Sequence, residues 1–236
     1  LRYELIQVAT GERLLGTALP ADPGALLPAS HRVADGIYER ILGVRGAFAT
    51  RIAYVAVEGP PTARSYRLVV ADADGANERI IFNSPEPIMS PAWSRDGRSL
   101  AYVSFHSSLP AIYVQTLKTG EQVRVSARSG INSAPAWSPD GGQLAVALSR
   151  RDGNVDIYLL SLATQELRRL TDDPSIDTEP AWSPDGRSLY FTSDRSGAPQ
   201  VYHLGLAAGD RPQRITFEGT YNARPRVSPD GRELAV

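Results

Sequence analysis

The sequence Ser90-Pro91-Ala92-Trp93-Ser94 recurs three more times along this chain of 236 residues. The later copies are Ala134-Pro135-Ala136-Trp137-Ser138, Glu179-Pro180-Ala181-Trp182-Ser183 and the weaker Arg224-Pro225-Arg226-Val227-Ser228. Their prolines are separated by 44, 45 and 45 residues. A fixed period of about 40–45 residues is typical of β-propellers, whose blades are four-stranded sheets. The sequence therefore predicts a mainly β fold built from propeller blades.

Each period contains four short segments rich in β-branched and aromatic residues, as expected for four strands. In the copy that starts at Pro135 they cover about 135–138, 144–148, 156–160 and 167–171. A Ser-x-Asp-Gly sequence follows the first segment of every copy. Aspartate can accept hydrogen bonds from the backbone ahead, and glycine takes a left-handed conformation without steric cost. Tight turns are predicted at Asp96-Gly97, Asp140-Gly141, Asp185-Gly186 and Asp230-Gly231.

The repeats predict blades at about 51–88, 89–132, 133–177 and 178–222, with a further blade starting at 223. The first of these blades is degenerate, because it lacks the Pro-Ala-Trp-Ser repeat. Propellers close with four to eight blades. The chain starts at Leu1 without methionine, and 233–236 reads as part of a strand, so we expect a fragment of a larger ring.

Residues 1–44 follow a different pattern. A strand is predicted at 2–8, and a helix at 30–42 with Ser30 as its N-cap and Gly43 as its stop. Val33, Ile37 and Ile41 contribute to its apolar stripe. We therefore expect 1–44 to be the end of a small α/β domain and 45–236 to be an incomplete propeller.

Composition excludes several classes of function. The net charge is −1 and no basic run occurs, which argues against nucleic acid as a partner. There is no cysteine, and no apolar run approaches the length of about 18 residues needed to span a membrane. The three histidines are far apart, and no nucleophile-elbow or phosphate-binding motif is present. We expect no catalytic residue, no cofactor, no metal and no small-molecule substrate.

Two local features allow alternatives. Asp72-Ala73-Asp74-Gly75 resembles the start of a calcium loop, but Asn83 stands where that loop needs glutamate, so a hairpin turn is favoured. The tryptophans could form a binding platform, but their fixed place in each blade favours packing between neighbouring blades.

The loops that lead into the first strand of each blade are the candidate functional region. These leading loops cover 86–90, 129–134, 175–179 and 219–224. In a ring they emerge on one face, around the mouth of the channel. They combine small polar residues with Ile131, Ile176 and Tyr221, a composition typical of protein-binding surfaces. The alternatives are plain connections or, through Asp177 and Glu179, a cation site in the channel.

Longer stretches resemble a known family. Residues 89–103, 178–186, 191–195 and 199–202 resemble the repeat of the TolB family of propellers. The segments 31–39 and 46–55 resemble that family's join between an α/β domain and the propeller. The resemblance implies a TolB-like β-propeller, six-bladed when complete. It also implies a non-enzymatic periplasmic scaffold of the Tol–Pal system, which supports outer-membrane integrity and constriction during cell division.

The resemblance further implies two protein partners. One is Pal, the peptidoglycan-associated lipoprotein, and the other is TolA, which the family binds through an N-terminal segment absent from this chain. Family contact positions for Pal correspond to Ile131, Asn132, Ala134, Thr178 and Glu179, and some members carry histidine at the first of these. The same loops add further candidates: Ser133, Asp177 and Asn222.

A second interpretation is the propeller of a prolyl-oligopeptidase-type serine peptidase. That interpretation requires a hydrolase domain beyond Val236, whereas the α/β segment ahead of the first blade favours the TolB family. A third, a carbohydrate- or metal-binding propeller enzyme, lacks clustered ligands in this sequence.

Overall fold

A computed structural model of the chain describes residues 1–20, 22–149 and 153–236. Its internal contacts divide the chain into two compact units. Unit 1 comprises Leu1–Tyr54 and Val69–Ile80, and unit 2 comprises Val55–Leu68 and Ile81–Val236. The predicted domain boundary between residues 44 and 45 stays a prediction.

Unit 1 begins with a two-stranded antiparallel sheet of β1 (Arg2–Ile6) and β2 (Arg13–Ala18). A 3₁₀ turn, Pro23–Ala25, leads into helix α1 (Leu26–Leu42). The helix ends at Gly43, whose φ of 72° is left-handed and whose N–H donates to Glu39 O at 2.9 Å. Glycine is the preferred residue in this closing position, so the predicted stop is confirmed.

The predicted N-cap at Ser30 is wrong. The helix begins one turn earlier, and Ala25 occupies the cap position without a side-chain hydrogen bond. The Ser30 hydroxyl donates backwards to Leu27 O at 2.7 Å, a bond that serine readily makes inside a helix. Pro23 explains the difference, because its fixed φ suits the first turn of a helix.

The remaining chain forms successive antiparallel sheets whose strands are adjacent in chain order. The first blade has three strands: β3 (Arg51–Glu58), β4 (Ser65–Asp72) and β5 (Arg79–Ser84). The connection between β4 and β5 is the predicted hairpin turn. The second blade has four: β6 (Ile88–Trp93), β7 (Ser99–Ser104), β8 (Ala111–Thr116) and β9 (Gln122–Ser126).

The third and fourth blades repeat this arrangement. The third consists of β10 (Asn132–Trp137), β11 (Gln143–Ser149), β12 (Val155–Ser161) and β13 (Leu167–Arg169). The fourth consists of β14 (Asp177–Trp182), β15 (Ser188–Ser193), β16 (Gln200–Gly205) and β17 (Gln213–Arg214). A final pair, β18 (Arg226–Val227) and β19 (Leu234–Ala235), opens the next blade. The predicted mainly β fold of four-stranded sheets is confirmed.

The core lies between the faces of neighbouring sheets. The second strands are buried on both faces, which explains why 144–148 reads as one continuous apolar run. Val103 and Ile112 of the second blade pack with Val146 of the third. Ile157 of the third blade packs in turn with Phe191 of the fourth. A blade therefore buries its apolar faces only against its neighbours.

Trp137 and Trp182 join consecutive blades, as the repeat predicts. The Trp137 indole N–H donates to Ala92 O, and that of Trp182 donates to Ala136 O, both at 3.1 Å. Both rings also pack against the apolar clusters between sheets. Their packing role is confirmed.

The Ser-x-Asp-Gly turns share one hydrogen-bond pattern. In each turn the serine hydroxyl donates to the aspartate Oδ1 at 2.5–2.7 Å. The same oxygen accepts the backbone N–H two residues further on, at 3.0–3.1 Å. These bonds, the serine bond first, lower the pKa of all four aspartates: Asp96, Asp140, Asp185 and Asp230.

Candidate protein-interaction face

The leading loops lie at one edge of every sheet. Because the strands of a blade are antiparallel, the start of the first strand, the end of the second and the start of the third share that edge. The first strands of adjacent blades lie in nearly the same register, since Trp182 bonds to Ala136 and Trp137 to Ala92. We call the common surface of unit 2 the upper face. It consists of residues 85–90, 105–110, 127–134, 170–179, 194–199 and 215–225.

Six large apolar side chains are exposed on the upper face, with 44–74% of their surface accessible: Met89, Leu109, Ile131, Ile176, Phe217 and Tyr221. Burying such side chains from water is the main source of affinity between proteins, and aromatic residues are enriched among the strongest contacts. The upper face therefore presents apolar surface of the kind that is buried in protein interfaces.

The leading loop 129–134 holds the side chain of Ile131 out toward solvent. Its N–H donates to Ser149 Oγ at 2.7 Å, while its side chain is exposed. The next residue, Asn132, is fully buried. The Asn132 amide accepts from Ser126 Oγ at 2.6 Å and donates to Arg128 O at 2.7 Å. Asn132 therefore holds the loop from inside and offers no surface to a partner, whereas Ser133 and Ala134 are half-buried at the edge.

The leading loop 175–179 has the same arrangement, with charged groups in place of the amide and hydroxyl groups. The Ile176 N–H donates to Asp194 Oδ1 at 2.8 Å, and the Ile176 side chain is 51% exposed. Asp177 is fully buried, and its carboxylate is paired with Arg195. Thr178 is half-buried beside it. The structure thus brings Ile131, Ile176 and Thr178 to the surface and withdraws Asp177.

Asn222 belongs to the last leading loop. It is half-buried, and its Nδ2 donates to Gln200 Oε1 at 3.0 Å and to Glu218 O at 2.8 Å. Its neighbour Tyr221 carries the exposed surface of this loop. Phe217, still more exposed, was missed at the sequence level because it lies just before the predicted loop.

The residue before each repeat proline has a left-handed backbone. The φ values are 51° for Ser90, 48° for Ala134, 53° for Glu179 and 56° for Arg224. Strand pairing shifts at the first three of these positions, as in a β-bulge. A bulge re-aims a side chain at the end of a strand. All four residues line a cavity of about 840 Å³ between the first strands.

Glu179 links two consecutive blades at the mouth of this cavity. Its Oε1 lies 2.7 Å from Arg224 Nε, and its Oε2 accepts the Arg224 backbone N–H at 3.0 Å and the Thr192 hydroxyl at 3.0 Å. The Glu179 carboxylate raises the pKa of Arg224. Glu179 therefore acts first as an internal acceptor, and the Arg224 side chain is the more exposed member, at 77% against 23%.

The described residues provide no catalytic arrangement that we can identify. Ser104 Oγ lies 3.0 Å from His106 Nδ1, but Ser104 is fully buried and its hydroxyl is inaccessible to a substrate. Across the described ranges, no group of three or more histidine, cysteine or acidic residues could hold a metal ion. In the same ranges, no helix is long and apolar enough to cross a membrane.

Packed four-stranded sheets whose first strands line a common cavity define a β-propeller protein. The family model described as "TolB beta propeller domain" matches residues 38–236, and the chain belongs to this family. It is 52% identical over 134 residues to the Tol-Pal system protein TolB of Xanthomonas oryzae pv. oryzae (strain PXO99A). That match covers 57% of this chain and 30% of the relative. The corresponding protein of Xylella fastidiosa is 50% identical over 135 residues, 57% of this chain and 31% of the relative.

Solved structures agree with this assignment. The crystal structure of TolB from Acinetobacter baumannii superposes with a TM-score of 0.93 at 41% identity, over 99% of this chain and 58% of that one. The chain therefore spans less than two thirds of these relatives. A puromycin-hydrolyzing peptidase of Mycobacterium tuberculosis superposes with a TM-score of 0.55 at 21% identity, over 78% of this chain and 31% of that one. That second likeness concerns the propeller fold alone.

Proposed function

We propose that this propeller is a non-enzymatic, periplasmic component of a Tol–Pal system that binds the lipoprotein Pal through its upper face. The observation that carries the proposal is the set of exposed apolar side chains on that face. Membership of the TolB family supports the choice of partner, because relatives are named as Tol–Pal proteins. In this role the protein contributes to outer-membrane integrity and to constriction during division.

The geometry of the leading loops supports protein binding over simple connection. Exposed Ile131 and Ile176 each sit on a backbone N–H that is bonded to a neighbouring side chain, so their positions are fixed before a partner arrives. Loops that are already ordered lose less conformational entropy on binding. A plain connection has no need of apolar side chains held out toward water.

The proposed Pal contacts are the exposed and half-buried members of the predicted set: Ile131, Ser133, Ala134, Thr178, Glu179 and Asn222. Asn132 and Asp177 contribute by holding the loops. Binding of TolA remains part of the proposal through an N-terminal segment outside this chain. The proposal includes no nucleic acid, no membrane insertion and no small-molecule substrate.

Titration calorimetry of the soluble domain of Pal into the full-length protein tests this function. Thr178→Arg and Ile131→Arg place a long charged side chain in the proposed contact. Thr119→Arg is the matched control, because Thr119 lies in the β8–β9 turn at the opposite edge of the sheet. We expect either upper-face variant to weaken binding at least tenfold, about 1.4 kcal/mol, and the control to bind as wild type.

Thermal melts show whether all variants are folded. A folded wild-type protein that does not bind Pal would refute the proposed partner. Wild-type binding that both upper-face variants leave intact would refute the proposed face.

A further inference from the structure

We propose that Arg195 is a positioning residue for the leading loop 175–179, and that it sets the affinity for the partner without touching it. The inference rests on the proposed function and names a determinant of the same site. Arg195 lies 18 residues beyond Asp177, in the loop between β15 and β16.

Arg195 is held by three kinds of contact. Its Nη2 bonds to both carboxylate oxygens of Asp177, at 2.9 and 2.7 Å. Its Nε donates to Ser193 Oγ at 2.9 Å. The guanidinium lies over the rings of Tyr202 and Phe191, with centroid distances of 5.0 and 5.6 Å. Its side chain is only 17% exposed, so little of it remains to contact a partner.

The Arg195–Asp177 pair is weak evidence for net stability, although removal of either partner leaves the other charge buried and unpaired. Removing two charges from water is costly, and their attraction repays that cost only when the geometry is excellent. Asp177 is fully buried. It stands between exposed Ile176 and half-buried Thr178, so fixing its carboxylate fixes the residues on either side.

Neighbouring bonds fix the same loop to the same hairpin. Asp194, adjacent to Arg195, accepts the Ile176 N–H at 2.8 Å. Asp173 Oδ2 lies 3.9 Å from Arg195 Nη1, and its Oδ1 accepts the Ser175 N–H at 3.0 Å. The loop between β15 and β16 therefore fixes the conformation of the leading loop through these hydrogen bonds and ion pairs.

Loss of the Arg195 contacts lowers affinity because fewer molecules then have the leading loop in its binding conformation. Apparent affinity falls by the fraction of molecules in which the loop has its binding conformation. If Arg195→Met reduces that fraction to about one tenth, the dissociation constant rises about tenfold. Arg195→Lys keeps the charge but cannot make the Ser193 and Asp177 bonds together, so we expect a smaller rise.

The first test measures Pal binding to the full-length protein by calorimetry in a double-mutant cycle. The variants are Arg195→Met, Arg195→Lys, Ile176→Ala and the Arg195→Met/Ile176→Ala pair. A positioning role predicts that the fold-losses of Arg195→Met and Ile176→Ala multiply in the double variant, because one lowers the fraction of molecules with a competent loop and the other lowers the affinity of that loop. A double variant whose loss departs more than threefold from that product, or an Arg195→Met protein that binds within twofold of wild type, would overturn the inference.

A stability control separates positioning from general weakening. Tyr102 is fully buried in the second blade, and its hydroxyl donates to Gln115 Oε1 at 2.9 Å. Tyr102→Phe should lower the melting temperature and leave Pal affinity unchanged. If it weakens Pal binding as much as Arg195→Met does, the Arg195 effect is one of stability and the inference fails. Asp177→Asn replaces Arg195→Met if the latter does not fold, with the same expected loss of affinity.

A second readout needs no partner. Amide hydrogen exchange at Ile176 should speed up at least tenfold in Arg195→Met, while exchange at Ile157, in the core of β12, stays slow. Unchanged protection of Ile176 would overturn the inference whether or not Pal binds. Loss of protection in a protein whose wild type does not bind Pal would retain the loop mechanism and reject only the proposed partner.

Discussion

The hydrogen bond from the Trp182 indole to Ala136 O links two blades and makes a quantitative prediction. Trp182→Phe removes the N–H but keeps an aromatic ring in the apolar cluster between the third and fourth blades. The net loss of one hydrogen bond costs about 1 kcal/mol, and because Ala136 is only half-buried, its unpaired carbonyl adds at most about 1 kcal/mol. We therefore expect the free energy of unfolding to fall by about 1–2 kcal/mol.

Differential scanning calorimetry of the full-length protein measures this change. A domain of about this size loses about 2–4 °C in melting temperature for each kcal/mol, so the expected shift is about 2–8 °C. Trp137→Phe should behave alike, because its indole makes the equivalent 3.1 Å bond to Ala92 O. Tyr221→Phe is the control: it removes a polar group from an aromatic ring that is 69% exposed, and it should melt with wild type.

A Trp182→Phe protein that melts within about 1 °C of wild type would mean that the indole bond does not couple the blades. A full loss of cooperative unfolding would instead mean that the ring, and not its N–H, is what the interface depends on.

Two further predictions concern the turns. Hydrogen bonds, chiefly from Ser138, hold the pKa of Asp140 below its ordinary value. In the unfolded chain the aspartate pKa is about 3.9, so the unfolded state binds a proton at Asp140 more readily than the folded state does. The stability that Asp140 contributes is therefore fully present above about pH 3.9 and is lost as the pH falls through the folded-state pKa. The Asp140→Asn variant cannot titrate at this position, so the melting temperature of the variant should fall less steeply with falling pH than that of the wild type, between about pH 5 and pH 2. Identical slopes would contradict the pH-dependent stability assigned to Asp140. Gly130 has φ +93°, and an added Cβ would lie 2.1 Å from Ser149 Oγ. Gly130→Ala should therefore lower the free energy of unfolding, measured by chemical denaturation, by about 1–3 kcal/mol. Gly24→Ala is the control, because among the described residues nothing lies within contact of its new methyl group, and equal losses in the two variants would refute the steric argument.

The features that sequence alone predicted depend on chemistry within a few residues. The Ser-x-Asp-Gly turns form because serine, aspartate and glycine each satisfy a local need, and the same bonds appear in all four copies. The period of 44–45 residues fixes the blades because one sheet cannot bury its own faces. The tryptophans were assigned correctly to blade packing for the same reason.

The parts that sequence did not reveal depend on partners distant in the chain. Asn132 and Asp177 read as polar loop residues available to a partner, yet both are fully buried. Asp177 is buried in an ion pair with Arg195, 18 residues later in the chain, and no local sequence pattern indicates that pairing. The start of α1 was misplaced for a smaller reason: Ser30 is a good N-cap by type, but Pro23 had already begun the helical turn.

The left-handed residues before the four repeat prolines have a consequence for variation. At these positions serine, alanine, glutamate and arginine all adopt the same backbone, with φ between 48° and 56°. Tertiary structure imposes that conformation, so no glycine is required and several types of side chain fit. One scaffold can thus alter the chemistry of its cavity rim blade by blade, and the four different rim residues of this chain are already an example of that freedom.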